Sequence, residues 1–180
     1  MDADSLIKRI ETAFADVTLG DGVTPAQADA LDSYWDSEKK LAAARATDCE
    51  KHWTEYTKED IEVGLHEHCF FDEAGWRHFL PAAMRFVVSR SIESDKGEAW
   101  SAIQMVTIQP IVGGYDRNTS KRRRFPQKLR LFESLSEDQS RAVAAFLNHI
   151  AAQDVDSSDI EDAKIALARY WHLFLEDSTT

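Results

Sequence analysis

Cysteine is scarce: the 180 residues hold only Cys49 and Cys69. Two thiols at unrelated positions build no disulfide framework, so reduced cysteines and a cytoplasmic location are expected. No apolar run approaches the roughly 20 residues that a membrane-spanning helix needs. The opening MDADSLIKRIETAF is acidic and amphipathic. A secretory signal would need a basic start, an apolar stretch and a small-residue cleavage site, and it has none of them. Catalytic fingerprints are missing too: there is no nucleophile elbow, Walker loop or dinucleotide motif. Gly113-Gly114 lacks the Lys and Ser/Thr that a phosphate loop requires. No internal repeat or low-complexity segment occurs.

What is present points to a packed protein. The hydrophobic fraction of 43% and the five tryptophans exclude a disordered chain. Its length is enough for one well-buried core. The 21 basic side chains face 32 acidic ones, and the net charge is −11. Seven of the basic residues, Arg117, Lys121, Arg122, Arg123, Arg124, Lys128 and Arg130, fall within residues 117–130, where no acid occurs. The other 166 residues carry 14 basic against 32 acidic side chains, a balance of −18. Such a field repels nucleic acid over most of the surface and attracts a basic partner.

Helical signals dominate. Leu6, Ile7, Ile10 and Phe14 form an apolar stripe at helical spacing. Thr24, Pro25 and Gln27 read as N-cap, first helical residue and capping-box partner of one helix that carries Leu31, Trp35 and Leu41. Thr57 with Asp60, Ser136 with Gln139, and Ser158 with Glu161 open further helices. Asp72 reads as the N-cap of EAGWRHFLPAAMRFVV, whose wide apolar face predicts cover on more than one side. Pro81 cannot donate to the Arg77 carbonyl and its ring collides there, at a cost of about 3 kcal/mol in a helix interior. A bend at residues 78–81 follows, whether the helix continues or ends near Phe79 and restarts with Pro81 in its first turn. Gly75 leaves room for another backbone or a tryptophan to come close. Residues 97–116 are ambiguous between an extended segment and a helix, ended by Pro110 and Gly113-Gly114.

The expected fold is therefore all-α or mostly α. One domain spans residues 1–180 as an irregular bundle of five or six helices. Its central helix bends at Pro81, a short strand is possible within 100–112, and an exposed basic loop lies at about 115–128.

Around FFDEAGWRHFLPAAM the chain resembles an uncharacterised family of small bacterial proteins. The matching positions are Phe70, Phe71, Glu73, Gly75, Trp76, Arg77, Phe79, Leu80, Pro81, Ala82 and Met84. Trp53 upstream and Asp138, Gln139, Val143, Phe146 and Leu147 downstream extend the likeness to about two thirds of the chain. The resemblance implies no activity.

Three constellations bear on function. His66, Glu67, His68, Cys69, Asp72, Glu73 and His78 are ligand types that suit zinc. His-x-His, however, places both rings on one side only in a strand, and His-Glu-His is not the helical zincin motif. The bland account is a helix C-terminus, where imidazoles sit well at the negative dipole end. No metal is expected; if one binds, His66, His68 and Cys69 are its ligands. Cys69 beside His68 is likewise no sign of a nucleophile, because catalytic dyads are made in space.

The basic segment offers Lys121, Arg122, Arg123, Arg124, Lys128 and Arg130 to phosphates, the signature of a regulatory nucleic-acid-associated protein. The acidic faces offer Asp29, Asp32 and Asp36, and then Asp154, Asp156, Asp159, Glu161 and Asp162, to a basic protein. The expectation is a non-catalytic, cofactor-free protein-binding module, immunity- or inhibitor-like, that occludes a basic partner such as a toxin. A nucleic-acid-associated protein, and a metal protein or enzyme centred on residues 66–78, are the alternatives.

Overall fold

Helices form where the chain supplies its own caps. Asp2, Thr57, Asp72 and Ser136 each stand at an N-cap in extended backbone, and each side chain accepts the amide three residues on. Asp60 and Gln139 close reciprocal boxes at two of these sites. At Thr24 the hydroxyl accepts from the Gln27 amide at 3.0 Å. The Gln27 side-chain oxygen is buried without a partner, so the return half of that box is not made. The last long helix begins one residue earlier than expected, with Ser157 as N-cap and Ser158 inside it.

The computed structural model describes residues 1–34, 37–90, 97–107, 128–153 and 157–175. In chain order the helices are α1 (Ala3–Ala13), α2 (Pro25–Tyr34), α3 (Glu38–Asp48), α4 (Lys58–His66), α5 (Glu73–Val88) and α6 (Glu98–Met105). A helical segment at 128–133, α7, is followed by α8 (Glu137–Ala151) and α9 (Ser158–Arg169). Single 3-10 turns lie at Trp53–Glu55, His68–Phe70 and Trp171–Phe174.

Among the described residues the all-α class holds and no strand occurs. The expected five or six helices become nine helical segments among the described residues. The long helix drawn from Thr24 onward is two, since α3 starts afresh with Ser37 at its N-cap. Residues 100–105, the first part of the 100–112 stretch where a short strand was possible, lie in α6, and 128–133 add α7. Residues 108–112, and nearly all of the expected basic loop, fall outside the described residues.

α5 is the centre. It packs on α1, α4, α6 and α8. His78, Phe79, Leu80, Pro81, Ala82, Ala83 and Met84 are buried in unbroken succession. Two turns hidden on every side fit the wide apolar face read from sequence. The helix runs through Pro81 without interruption, which corrects the break-and-restart alternative.

Gly75 meets backbone, as its place in the sequence suggested. An added Cβ would stand 2.3 Å from the Val23 carbonyl oxygen, and one on Gly22 would stand 2.5 Å from the Gly75 nitrogen. Only two residues without side chains let these strands of backbone come so close. The 20–23 loop is tied from both sides. Asp72 Oδ1 accepts from Gly75 at 2.8 Å and from Val23 at 3.0 Å. From the other side, the Arg45 guanidinium donates to the carbonyls of Gly20, Asp21 and Gly22.

The C-terminal end of α6 shows how a short helix is held. Four successive carbonyls each take a side-chain donor. Lys128 Nζ donates to Gln104 at 2.7 Å and to Thr107 at 3.0 Å, the Trp76 indole to Met105 at 3.3 Å, and the Trp171 indole to Val106 at 2.7 Å. The Gln104 carbonyl also accepts from the Thr107 amide at 3.4 Å. Leaving a helix-end carbonyl buried and unmet costs about 1–3 kcal/mol. Trp53 does the same for α1, donating to the Phe14 carbonyl at 2.9 Å.

Candidate interaction surface

α2 turns Asp29 and Asp32 outward, one helical turn apart. The same helix packs on α4 and on the 3-10 turn that follows it. Glu67, the C-cap of α4, is mostly buried there. Burial pushes its carboxyl above the ordinary range, and the charges of Asp32 and Asp29 push it further, against the pull of His66. Three carboxylates thus converge on the seam between α2 and α4. Asp36 lies outside the described residues.

The second acidic face is more occupied. Asp159 is half-buried in the first turn of α9, its carboxyl raised by burial and by Asp162. Asp162 accepts from the Gln104 side chain at 3.4 Å, and exposed Glu161 holds Lys164 at 2.7 Å. Asp154 and Asp156 lie outside the described residues. A line of neighbours joins the two faces. Gln104 gives its side chain to Asp162 and its carbonyl to Lys128, and burial, with a smaller push from the Lys128 charge, depresses the His68 imidazole beside Glu67.

Of the basic residues, Lys121, Arg122, Arg123 and Arg124 fall outside the described residues. Arg130 is exposed. Lys128 is turned inward onto the end of α6, and burial holds its ammonium below the usual lysine range.

The His-rich stretch is divided between two elements. His66 ends α4, exposed, 3.5 Å from Glu67. His68 Nδ1 bonds the Leu65 carbonyl at 2.9 Å, and burial lowers its pKa. Cys69 is exposed. Among the described residues, no group of three or more His, Cys, Asp or Glu is arranged to hold a metal ion.

A buried polar cluster escaped the sequence reading altogether. The Tyr56 hydroxyl and His78 Nδ1 are 3.1 Å apart, with the two rings edge to face. His78 is 1% exposed, and its Nε2 has no partner. Burial, helped by nearby His52, draws its pKa down to about 4, so the ring is neutral at pH 7. Burial and the charges of Asp48 and Asp60 push the Tyr56 hydroxyl upward, so it too stays neutral. Asp48, 2% exposed, accepts from the Ala26 amide at 3.3 Å through Oδ2, while its buried Oδ1 has no partner. Lys51 and Asp60 pair at 2.8 Å beside it. These bonds tie the 53–55 turn to α5, and α3 to the start of α2. Their effect is structural.

A family model matches residues 2–174. The chain belongs to DUF6714, a family of unknown function. The DUF6714 match takes in nearly the whole chain, more than the two thirds over which the motif resemblance ran. No curated protein and no solved structure matches the chain. Among the described residues no helix is long and apolar enough to cross a membrane.

Proposed function

We propose that the protein is a non-catalytic binding module of the bacterial cytoplasm, a single helical domain that occludes a basic protein partner in the manner of an immunity protein or inhibitor. The acidic seam is the docking face. Asp29 and Asp32 present themselves to the partner, Glu67 deepens the field, and Asp159, Glu161 and Asp162 extend it toward α9. The observation that carries this reading is the gathering of Asp29 and Asp32, both exposed on α2, beside Glu67, whose carboxyl is raised by burial first and then by those two charges. A field of that sign speeds encounter with a cationic surface and rejects anionic ones. Apolar contact must supply much of the affinity, and Trp100, 46% exposed on α6, is an aromatic anchor of the right kind.

The test is affinity capture from the native host at moderate salt, run beside an Asp29→Lys/Asp32→Lys variant. A single basic protein retained by the wild type and lost with the variant supports the reading. Recovery of RNA or DNA by both would overturn it and direct attention to residues 117–130.

A further inference from the structure

α3 is poorly anchored for its length. Asp48 is its one buried side chain. Leu41, Ala44 and Arg45 are half-buried, and the other residues of Glu38–Asp48 are exposed. No residue of α3 joins the hydrophobic core or packs against its edge. By contrast α1, with the same eleven residues, buries Leu6 and Ile10, and α6, with only eight, buries Ile103 and Met105. A helix this short is marginal in water by itself. α3 rests on α2, and Ser37 at its N-cap makes no side-chain bond to the first turn.

What holds α3 is polar, and its two latches act in opposite senses. The Arg45 guanidinium donates to the carbonyls of Gly20, Asp21 and Gly22. These charge-assisted bonds favour the seated helix. Asp48 Oδ2 accepts from the Ala26 amide at 3.3 Å, but Oδ1 is buried without a donor. Burial raises this carboxyl above its ordinary range, outweighing the Ala26 amide and the Lys51 charge. A carboxylate there is less well served than in water, so it works against seating. We propose that α3 is a releasable strap, which lifts from α2 and unravels as a unit while the core around α5 stays folded. Elements with little buried apolar area are the ones that open locally. Lifting takes no apolar side chain out of the core and gives Asp48 water, so the bonds of Arg45 are the main ones it breaks. It also bares the side of α2 on which α3 rested. The device needs no partner and is independent of the acidic docking face.

The experiment is native-state hydrogen exchange of the full chain, read by mass spectrometry on peptides from α3 and from residues 79–84 of α5. After correction for intrinsic rates, α3 should exchange about a hundredfold or more faster than α5. Arg45→Gln should raise the α3 rate along the whole helix by about tenfold. Asp48→Asn is nearly isosteric and removes the buried charge, so it should lower the α3 rate by about threefold. Ile150→Val trims a core side chain of α8, 1% exposed. It should speed α5 by about threefold or more and leave α3 unchanged, because the core persists when the strap lifts. Equal protection of α3 and α5, an α3 rate that follows Ile150→Val, one unmoved by Arg45→Gln, or one raised by Asp48→Asn would each overturn the proposal.

Discussion

The Lys128 ammonium lies 3.0 Å from the Thr107 carbonyl, so the residues flanking a twenty-residue stretch of chain meet at one hydrogen bond. The same ammonium serves the Gln104 carbonyl. Lys128 counts toward the basic segment by sequence, yet it works as a structural donor at the end of α6.

Lys128→Met keeps the length of the side chain and removes the donor. Two carbonyls lose that donor, Gln104 keeping the Thr107 amide, and the expected destabilisation is about 1–3 kcal/mol. Chemical denaturation should show a lower midpoint with the slope unchanged. A midpoint equal to that of the wild type would mean that water replaces the ammonium without cost.

Folding stability should fall as pH drops below 6.5. His78 has a folded pKa of about 4 against 6.5 in the unfolded chain, so the unfolded state takes up the proton first. Its contribution is whole above pH 6.5 and is lost as pH falls toward 4, amounting at most to roughly 3 kcal/mol. Asp48 and Glu67, raised by burial, pull the other way at the acid end. The slope is therefore best read between pH 7 and 5.5. His78→Phe should flatten it, and an unaltered slope would assign the effect to another group.

Glycine substitutions should separate by surroundings. Gly75→Ala drives a Cβ against the Val23 carbonyl, which is backbone and cannot swing aside. A loss of about 2 kcal/mol or more, some 4–8 °C in Tm, is expected. Gly20→Ala meets open space and costs only its left-handed backbone, φ +55°, about 1 kcal/mol. Thermal melts that ranked the two the other way would contradict the packing described for the 20–23 loop.

Asp29→Asn/Asp32→Asn should leave stability within about 0.5 kcal/mol, because both side chains are exposed. The Glu67 carboxyl should move back toward its ordinary value, followed by carboxyl NMR. Binding of the basic partner should weaken and lose part of its salt dependence. Retention of full affinity would place the interface elsewhere.

The caps were legible because their chemistry is local. Thr57, Asp72 and Ser136 each reach only three residues along the chain, and the wide apolar face of α5 follows from spacing alone. α6 was not legible. Eight residues make a marginal helix by propensity, and this one is completed by donors from residues 76, 128 and 171. The polar cluster was hidden for the same reason: Tyr56 and His78 are 22 residues apart. The only trace was one imidazole in a run of otherwise apolar side chains. The acidic seam was half visible, since Asp29 and Asp32 stand out on α2 while Glu67 joins them only through the packing of α2 on α4.

The crowded terminus of α6 also sets a sequence of events. On the ribosome, the Val106 carbonyl must wait for an indole made 65 residues later, some 3–13 s at usual elongation rates of about 5–20 residues per second. Until Trp171 emerges, this short helix lacks its last clasp and stays among the late-settling parts of the nascent protein.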